Sequence, residues 1–582
     1  MTIRTLCLVA VLLVSGNASA DPSGLYDDYW DFELRHDPLI ATTSGDYRFN
    51  DRVPDVSPRA QQARLQQLRV FESRLRDPAQ TGDPLNADIL GFILKHDIAL
   101  GDFEPWRVPF LSDSGFHMNV GYVVSSTRFE TADDYRDYLL RLRALPRYFE
   151  QNTSNMQAGL DAGFTQPQAI MENILPSFES QVTETAAEHP LYIPFRMMPD
   201  AMAEEEKVAL RREAKAVLEQ EVIPAYVAVR DFMRDRYIPN ARQTLGASEL
   251  PNGDAYYAAL VRYFTTLDSA TPEAIHERGL AEVARIRAEM DVVIAQTDFE
   301  GSFEEFLDFL RTDPQFYAKT ADEILKQAAW IAKKTDGRLP AFFGKLPRQP
   351  YSVDPVPDEI AANYTGGRYV PSPPGGPRGG QYWVNTYALE TRPLYQLVAL
   401  SLHEGVPGHH LQGALAYEIE GAPAFRQQFY PHAFGEGWGL YAEKLGVEMG
   451  IYETPYDHFG RLSYEMWRAA RLVVDTGIHA MGWSREQAVD YLAANTALSM
   501  HEIGTEIDRY IAWPGQALAY KIGELTIWEL RGEAEKALGD AFDIREFHDT
   551  VLTNGGVPLE LLKIQVRRYI DETLALEQAD ES

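Results

Sequence analysis

Helical patterning dominates most of this chain and limits the folds that are open to it. From Ser57 to about Lys334, apolar residues recur three and four positions apart among charged ones, as they do in Arg59–Arg76. The same pattern resumes at Pro393 and continues to about Glu577. The sequence shows no internal repeat at solenoid periods. The pattern therefore predicts a mainly α fold.

One stretch interrupts this pattern and divides the chain. Eight of the ten residues in 371–380 are Pro or Gly, which excludes a helix or a central strand there and predicts a long loop, either functional or a linker. The next residues, 381–386, form the best strand candidate. We therefore predict a helical N-terminal part (21–338) and a second part (339–582) that together form one continuous unit.

The first twenty residues have the three regions of a secretory signal peptide. Arg4 supplies the positive charge, Leu6–Val14 is an apolar run too short to span a bilayer, and Ala18–Ala20 resembles a cleavage site. We predict an exported protein that is cleaved after Ala20 and is periplasmic rather than secreted if the source is Gram-negative. An uncleaved anchor is the alternative. No later apolar run reaches the length of about 18 residues needed to insert into a membrane.

Cysteine content and charge exclude further classes of function. The only cysteine, Cys7, lies inside the apolar run and too early for a lipoprotein signal, so the mature chain should have no disulfide and no thiol chemistry. The formal net charge of −32 argues against nucleic acid or an anionic membrane as the main partner. The 9 Trp, 30 Tyr and 27 Phe supply ample core material and exclude disorder of the whole chain.

The strongest chemical signal is segment 401–412, which reads SLHEGVPGHHLQ. Two histidines on a helix can hold a zinc ion while a glutamate between them remains free to deprotonate water. The usual spacing is His-Glu-x-x-His. Here, Pro407 occupies the position of the second histidine, and the next histidines lie six and seven positions after His403. A strict search for the motif therefore fails.

Helix geometry limits which histidines can share one ion. In an unbroken helix, His403 and His410 share a face but lie about 10.5 Å apart along the axis, too far for one metal ion. Pro407 and Gly408 can break the helix, because proline removes a backbone donor and glycine tolerates unusual dihedral angles. A two-residue insertion would then restore the pairing of His403 with His409, which we prefer to His410 as the second ligand.

A third ligand is expected from segment 434–443, FGEGWGLYAE. Glu436 follows His409 by 27 positions, which is enough for one helix, a turn and the start of another, and we assign it as the ligand. Glu443 lies two turns later and would orient a ligand histidine from behind, unless it is a surface charge. Gly437 and Gly439 would let this helix approach the first one closely.

Two later segments contain further candidates. Arg471, Asp475 and His479 recur every four residues, so that Asp475 could anchor His479 or a zinc ligand, although a structural ion-pair ladder is equally open. Amide hydrolysis forms an oxyanion that needs a hydrogen-bond donor besides the metal. The candidate donors are Tyr510, Tyr520, His501 and Gln516, and each tyrosine could equally be a packing residue. Arg509 and Lys521 could bind a substrate carboxylate or pair with nearby acids.

Taken in order, these motifs resemble the bacterial domain of unknown function 885 family. The resemblance rests on His403-Glu404-x-x-Pro407-Gly408-His409-His410-Leu411-Gln412, Glu436-Gly437-Trp438 and Arg509-Tyr510-x-x-x-Pro514-Gly515-Gln516-Ala517-x-x-Tyr520. It covers most of the mature chain and is most specific in the last third. That family is in turn distantly similar to the helical zinc peptidases thimet oligopeptidase, angiotensin-converting enzyme and carboxypeptidase Taq.

The peptidase resemblance implies a fold, a cofactor and a reaction. It implies a large helical, zincin-like cleft fold with one Zn²⁺ per chain, in which residues 21–338 form one wall. Glu404 would be the general base on a zinc-bound water. Tyr520 matches a late tyrosine of those peptidases that stabilises the oxyanion, and Gln516 stands where they have another tyrosine. The expected substrates are short peptides.

The strand at 381–386 would lie at the edge of this cleft. Its backbone could pair with an extended peptide, and Asn385 could add a side-chain hydrogen bond. Two other functions remain open, namely a zinc-dependent esterase or amidase acting on a small molecule, and a non-catalytic protein that binds peptides in the same cleft. Manganese, cobalt or iron could also occupy such a site.

Overall fold

A computed structural model describes residues 24–362, 364–372 and 378–580. The predicted signal peptide and half of the Pro/Gly-rich stretch lie outside these residues. Within them the protein is mainly α with one small sheet, which confirms the predicted fold class. No helix among these residues combines the length and the apolar character that a membrane span requires.

Several N-terminal helices begin at a capping residue followed by proline, the combination that best satisfies a free helix start. Ser57, Asp83 and Thr271 each accept a backbone N–H in this way. The helices up to residue 240 are α1 (Gly24–His36), α2 (Pro38–Thr43), α3 (Pro58–Leu75), α4 (Pro78–Thr81), α5 (Pro84–Gly101), α6 (Asn119–Val123), α7 (Ala132–Ala162), α8 (Met171–Glu179), α9 (Ile193–Arg196), α10 (Glu204–Val217), α11 (Ile223–Phe232) and α12 (Ile238–Asn240). Two π-helical turns, Leu218–Val222 and Met233–Tyr237, join the last three.

The second half of the chain carries the helices that position the candidate site. They are α13 (Gly253–Thr265), α14 (Pro272–Ile294), α15 (Phe303–Thr312), α16 (Ala321–Asp336), α17 (Asp358–Ala361), α18 (Leu394–Glu404), α19 (His409–Tyr417), α20 (Phe425–Gln428), α21 (His432–Glu448), α22 (Pro455–Ala480), α23 (Arg485–Asn495), α24 (Met500–Ala512), α25 (Ala519–Leu538), α26 (Ile544–Leu552) and α27 (Leu559–Asp580).

The small sheet has three strands, β1 (Tyr351–Pro355), β2 (Gly367–Val370) and β3 (Gly380–Val384), in the order β1-β3-β2. β3 pairs in parallel with β1 and antiparallel with β2. The sequence predicted this strand at 381–386, but the predicted pairing of its backbone with substrate is wrong. Both of its backbone edges are already occupied, and β2 is an edge of the sheet instead.

The hydrophobic core crosses the boundary between the two halves. One large cluster joins Leu68 and Leu90 from the N-terminal helices with Trp438 and Leu530 from the C-terminal ones. A separate cluster is formed by residues between Leu39 and Ala241, and a third joins α14 and α15 to α22–α24. The helices that carry the candidate site are therefore packed on both sides by apolar side chains, which holds their mutual positions.

Candidate metal centre

The HExxPGHH segment folds as two helices joined by a tight turn. Helix α18 ends at Glu404 and α19 begins at His409, so the helix breaks completely at the Pro-Gly insertion. Gly408 passes so close to the end of α18 that a Cβ there would lie 2.0 Å from the His403 carbonyl oxygen. The Trp438 indole N–H donates to the Pro407 carbonyl at 2.8 Å and anchors the turn from α21. These contacts place His409 beside His403.

Three side chains meet at this turn in a geometry that suits a metal ion. Nε2 of His403 and Nε2 of His409 lie 3.7 and 3.6 Å from Oε2 of Glu436, and one donor atom from each residue lies within 4.8 Å of the other two. In a tetrahedral zinc site with bonds of about 2.1 Å, neighbouring donor atoms are about 3.4 Å apart. The donor set and its spacing therefore fit zinc, with room for a water or substrate atom as a fourth ligand.

Glu443 fixes the orientation of the first histidine. Nδ1 of His403 lies 2.7 Å from Oε1 of Glu443, and both side chains are buried, so Nε2 faces Glu436. In zinc sites, a ligand histidine usually donates its other ring N–H to a carboxylate, which fixes the orientation of the ring. A Cβ at Gly439 would lie 2.6–2.9 Å from the His403 ring, so this glycine allows the close approach that the sequence predicted. Gly437 instead packs against Gly523 of α25.

The electrostatics of the group favour a cation. Burial lowers the pKa of His403, but hydrogen bonds to Glu436 and Glu443 outweigh it and raise that pKa to about 10. Burial raises the pKa of Glu436, yet His403 and His409 hold it well below its ordinary value. Carboxylates thus surround two imidazoles in a nearly water-free place, where a divalent cation would balance their charge.

Glu404 lies beside the three-residue group without belonging to it. Its Oε2 accepts a hydrogen bond from the backbone N–H of Tyr369 in β2 at 2.8 Å. Tyr369 is opposite Tyr382 of β3 in the strand register, and its N–H points away from β3 towards the end of α18. The outer edge of β2 therefore lies next to Glu404, in the position predicted for β3.

His410 does not reach the metal group. Its ring is buried against Tyr351, with ring centroids 4.4 Å apart, and its Nδ1 lies 3.2 Å from the Tyr369 hydroxyl. Burial lowers the pKa of His410 to about 4, as expected of a neutral packing histidine. The preference for His409 over His410 thus agrees with the geometry.

Asn385 is a structural residue, and its predicted contact with substrate is wrong. The side chain is fully buried, and its amide donates to three backbone carbonyls that precede β2, those of Ala361, Tyr364 and Thr365. Its carbonyl accepts from the backbone N–H of Tyr387. All of these bonds are internal to the loops that support β2.

Asp475 and His479 hold loops together and do not contact the metal group. Asp475 accepts hydrogen bonds from the Tyr257 hydroxyl and the Gly515 N–H at 2.6 and 3.1 Å. His479 accepts from the backbone N–H of Ala247 and lies 2.9 Å from the Tyr510 carbonyl. Neither anchors the other, and Arg471 pairs with Glu506, so the ion-pair ladder is wrong as well.

The buried Asp475 should make stability depend on pH. Burial raises its pKa from 3.8 to about 7, so the folded state binds this proton more tightly than the unfolded chain. The stabilisation that protonated Asp475 gives the folded state is complete below about pH 4, and it is lost as the pH rises to about 7. Asp475→Asn keeps an acceptor oxygen but cannot ionise.

The test compares the free energy of unfolding of the variant with that of wild type at each pH. As the pH rises from about 5 to about 8, we expect this difference to change by about 2–4 kcal/mol in favour of the variant. Urea denaturation at several pH values in this range measures the difference. Plots of the free energy of unfolding against pH that run parallel for the two proteins would contradict the prediction, because they would show that Asp475 is ionised over the whole range.

The candidate oxyanion donors from the last part of the chain lie in different environments. The Tyr510 hydroxyl is buried and accepts from Arg471 and Trp467. Gln516 is buried, and its Oε1 accepts from Arg509 at 2.8 Å. His501 is exposed on the first turn of α24. Tyr510 is committed to other residues and His501 is exposed, so neither is placed as a donor in the site, whereas the bond of Gln516 engages its oxygen and not its amide N–H groups.

Tyr520 remains a candidate donor. It is partly buried against the Arg471 guanidinium, 4.5 Å from the ring centroid, and its hydroxyl has no hydrogen-bond partner in the part of the chain that the structure describes. It interacts electrostatically with Tyr430, which contacts Glu436. Lys521, in contrast, is fully buried and pairs with Glu465 and Glu524. Of its two predicted roles, it therefore has the pairing with nearby acids and not the binding of a substrate carboxylate.

Sequence reasoning missed three residues beside the metal group. The Tyr430 hydroxyl donates to Oε1 of Glu436 at 3.2 Å. His432 lies one turn before Glu436 on α21 and interacts with both Glu436 and Arg509. Arg368 of β2 lies within electrostatic reach of Glu404 and Glu436. The four-residue spacing of His432 and Glu436 was a usable signal, whereas Arg368 had none because β2 was not predicted.

The fold and the site together define a class of mainly α proteins. In this class the two histidines of a His-His-Glu group lie on either side of a helix break, and the glutamate comes from another helix. A sequence model of the family described as "Bacterial protein of unknown function (DUF885)" matches residues 38–566. The chain belongs to this family. The distant similarity to helical zinc peptidases stays a prediction.

Two solved structures are among those that share this fold. One, described as the "putative lipoprotein" from Colwellia psychrerythraea, is 28% identical, covers 95% of this chain and 99% of its own, and superposes with a TM-score of 0.88. The other, described in similar words and as "of unknown function", is from Shewanella oneidensis. It is 17% identical, covers 94% of this chain and 99% of its own, and has a TM-score of 0.71. No curated protein matches the chain.

Proposed function

We propose that this protein is an exported zinc-dependent metallopeptidase that hydrolyses short peptides. The observation that carries the proposal is the group of His403, His409 and Glu436, with donor atoms spaced for one ion and Glu443 behind His403. Sites with two histidines and one glutamate are typical of zinc hydrolases and leave a position open for the reaction. When bound there, zinc would act as a Lewis acid on the scissile carbonyl and would lower the pKa of water.

The protein's own side chains would carry the proton transfers. Glu404 lies next to the ligands but outside the group, and the Tyr369 N–H holds it in place. It would accept a proton from the attacking water and return it to the leaving amine. The Tyr520 hydroxyl would donate a hydrogen bond to the developing oxyanion.

The edge strand β2 supports peptides as the substrate class. Its outer edge runs past Glu404, where the Tyr369 N–H holds that carboxylate and the Gly367 carbonyl accepts from Thr365, so an extended peptide could lie alongside this strand next to the reacting groups. Export is supported by the signal-like residues 1–20 and by the description of the Colwellia psychrerythraea relative as a "putative lipoprotein". The periplasm is the proposed compartment in a Gram-negative source.

Metal analysis and a substrate panel test this function together. We expect about one zinc per chain in the purified mature protein, and cleavage of short peptides that a chelator abolishes and added zinc restores. The panel should pair each peptide with an ester and a small amide. Cleavage of esters alone would indicate an esterase. Absence of metal even after addition of zinc would indicate a peptide-binding protein.

A further inference from the structure

Five arginines lie on the elements around the metal group, and three of them, Arg368, Arg392 and Arg468, have no carboxylate partner among the described residues. The protein carries a net charge of −32, yet five guanidinium groups lie around this place. We call them the arginine group: Arg368, Arg392, Arg468, Arg471 and Arg509. Among the described residues, Glu506 is the only carboxylate within 4.0 Å of any of them, and it is shared by Arg471 and Arg509.

Hydrogen bonds and longer-range electrostatic interactions link the arginine group to the metal group. On one side, Arg368 contacts the Tyr364 side chain and lies within electrostatic reach of Glu404 and Glu436, while Arg392 donates to the Tyr364 carbonyl. The Arg392 charge also acts on Tyr464. The arginines therefore begin at the strand that borders Glu404.

The other members of the arginine group lie on α22 and α24. Arg468 lies over the rings of Tyr464 and Trp467 at 4.5 and 4.4 Å. Arg471 lies over the rings of Trp467 and Tyr520, each at 4.5 Å. Aromatic faces thus hold the cations in place without neutralising them.

Several donors of the arginine group are unsatisfied. Nε of Arg392, Nε of Arg468 and Nη1 of Arg471 are buried and have no hydrogen-bond partner among the described residues. Buried donors without partners are uncommon, and they indicate a missing ligand or ordered water. Arg368 is exposed and the Arg509 side chain is 24% exposed, so these two present their guanidinium groups to a ligand.

Gln516 orients Arg509 towards this space. Its buried Oε1 accepts from Nη2 of Arg509 at 2.8 Å, while Nη1 of Arg509 is 3.6 Å from Glu506. Arg509 also interacts electrostatically with Tyr520, the proposed oxyanion donor. A carboxylate bound by Arg509 would therefore lie close to the reacting groups.

We propose that the arginine group binds a carboxylate of the peptide substrate. The inference rests on the proposed function and specifies its substrate class. A peptide offers two sources of the same chemistry, its C-terminal carboxylate and the side chains of Asp or Glu. Arginine binds both through paired, charge-assisted hydrogen bonds.

Calorimetric binding to the zinc-loaded Glu404→Gln protein tests the inference without turnover. The probes are tetra-alanine with a free C-terminus, its C-terminal amide, and Ala-Glu-Glu-Ala and Ala-Gln-Gln-Ala as amides. We expect the free acid to bind at least about 10-fold more tightly than the amide, or the Glu peptide at least about 10-fold more tightly than the Gln peptide. The first comparison reports the C-terminal carboxylate and the second the acidic side chains.

Variants assign the effect to particular arginines. Arg509→Gln and Arg368→Gln should each reduce the preference about 10-fold. Arg545→Gln removes an exposed arginine that pairs with Asp543 on α26, and it should change nothing. Equal affinity for all four probes would overturn the inference. A preference for the carboxylate probes that both Arg509→Gln and Arg368→Gln retain in full would overturn it as well. A carboxylate preference without any peptide cleavage by the wild-type enzyme would instead overturn the proposed function alone.

Discussion

Glu404→Gln should retain the metal and lose turnover. The carboxylate lies beside the His-His-Glu group but is not one of its three members, and the Tyr369 N–H positions it. Glutamine keeps the size of the side chain and an oxygen that can accept this bond, but it cannot accept the proton of the attacking water. Since general base catalysis contributes about 10²–10⁴-fold, we expect kcat to fall by at least about 100-fold.

The measurement pairs initial rates of peptide cleavage with elemental analysis of the same samples. Glu420→Gln is a matched control, because Glu420 is exposed in the loop after α19. It should behave as wild type in both assays. Loss of zinc from Glu404→Gln would make this residue a ligand, and unchanged turnover would remove it from the mechanism.

His409→Ala should abolish zinc binding, whereas His410→Gln should preserve it. His409 places Nε2 3.6 Å from Oε2 of Glu436, and His410 is instead packed between Tyr351 and Tyr369. Two remaining donors hold zinc far more weakly than three, so we expect stoichiometry to fall from about one per chain to nearly zero. Opposite outcomes for the two adjacent histidines would show that the Pro407-Gly408 insertion brings His409, and not His410, to the metal.

Thermal unfolding with and without zinc provides a second measurement. A ligand that binds only the folded state raises the Tm, so zinc should stabilise wild type and His410→Gln but not His409→Ala. His410→Gln should have a lower Tm without zinc, since it disturbs a buried ring. Zinc retained by His409→Ala and lost by His410→Gln would reverse the assignment of the second ligand.

The local sequence was sufficient to select the members of the metal group. Histidine and glutamate side chains are scarce enough in apolar helices that His403, His409 and Glu436 stood out before any contact was known. The outcome of the Pro-Gly insertion was open, because proline and glycine allow several backbone paths. A contact from another helix, the Trp438 indole on the Pro407 carbonyl, anchors the observed path.

Residues far apart in the chain were harder to assign. β2 has only four residues, and it exists because it pairs with β3, so no local pattern predicted it or Arg368. Asn385 looked like a substrate contact until its amide was found to bond three carbonyls. Asp475 and His479 shared a helix face with Arg471, but each finds its partner on another element.

The sequence alone therefore determined the mainly α class, the family and the chemical identity of the candidate ligands. These depend on local periodicity and on residue types, which the chain carries in its order. The tertiary fold decided which strand edge lies beside Glu404 and, within the part of the chain that the structure describes, which tyrosine hydroxyl has no hydrogen-bond partner and which arginines have no carboxylate partner. Those properties depend on how distant segments pack, because a polar group is either satisfied or left unpaired only when its neighbours are in place.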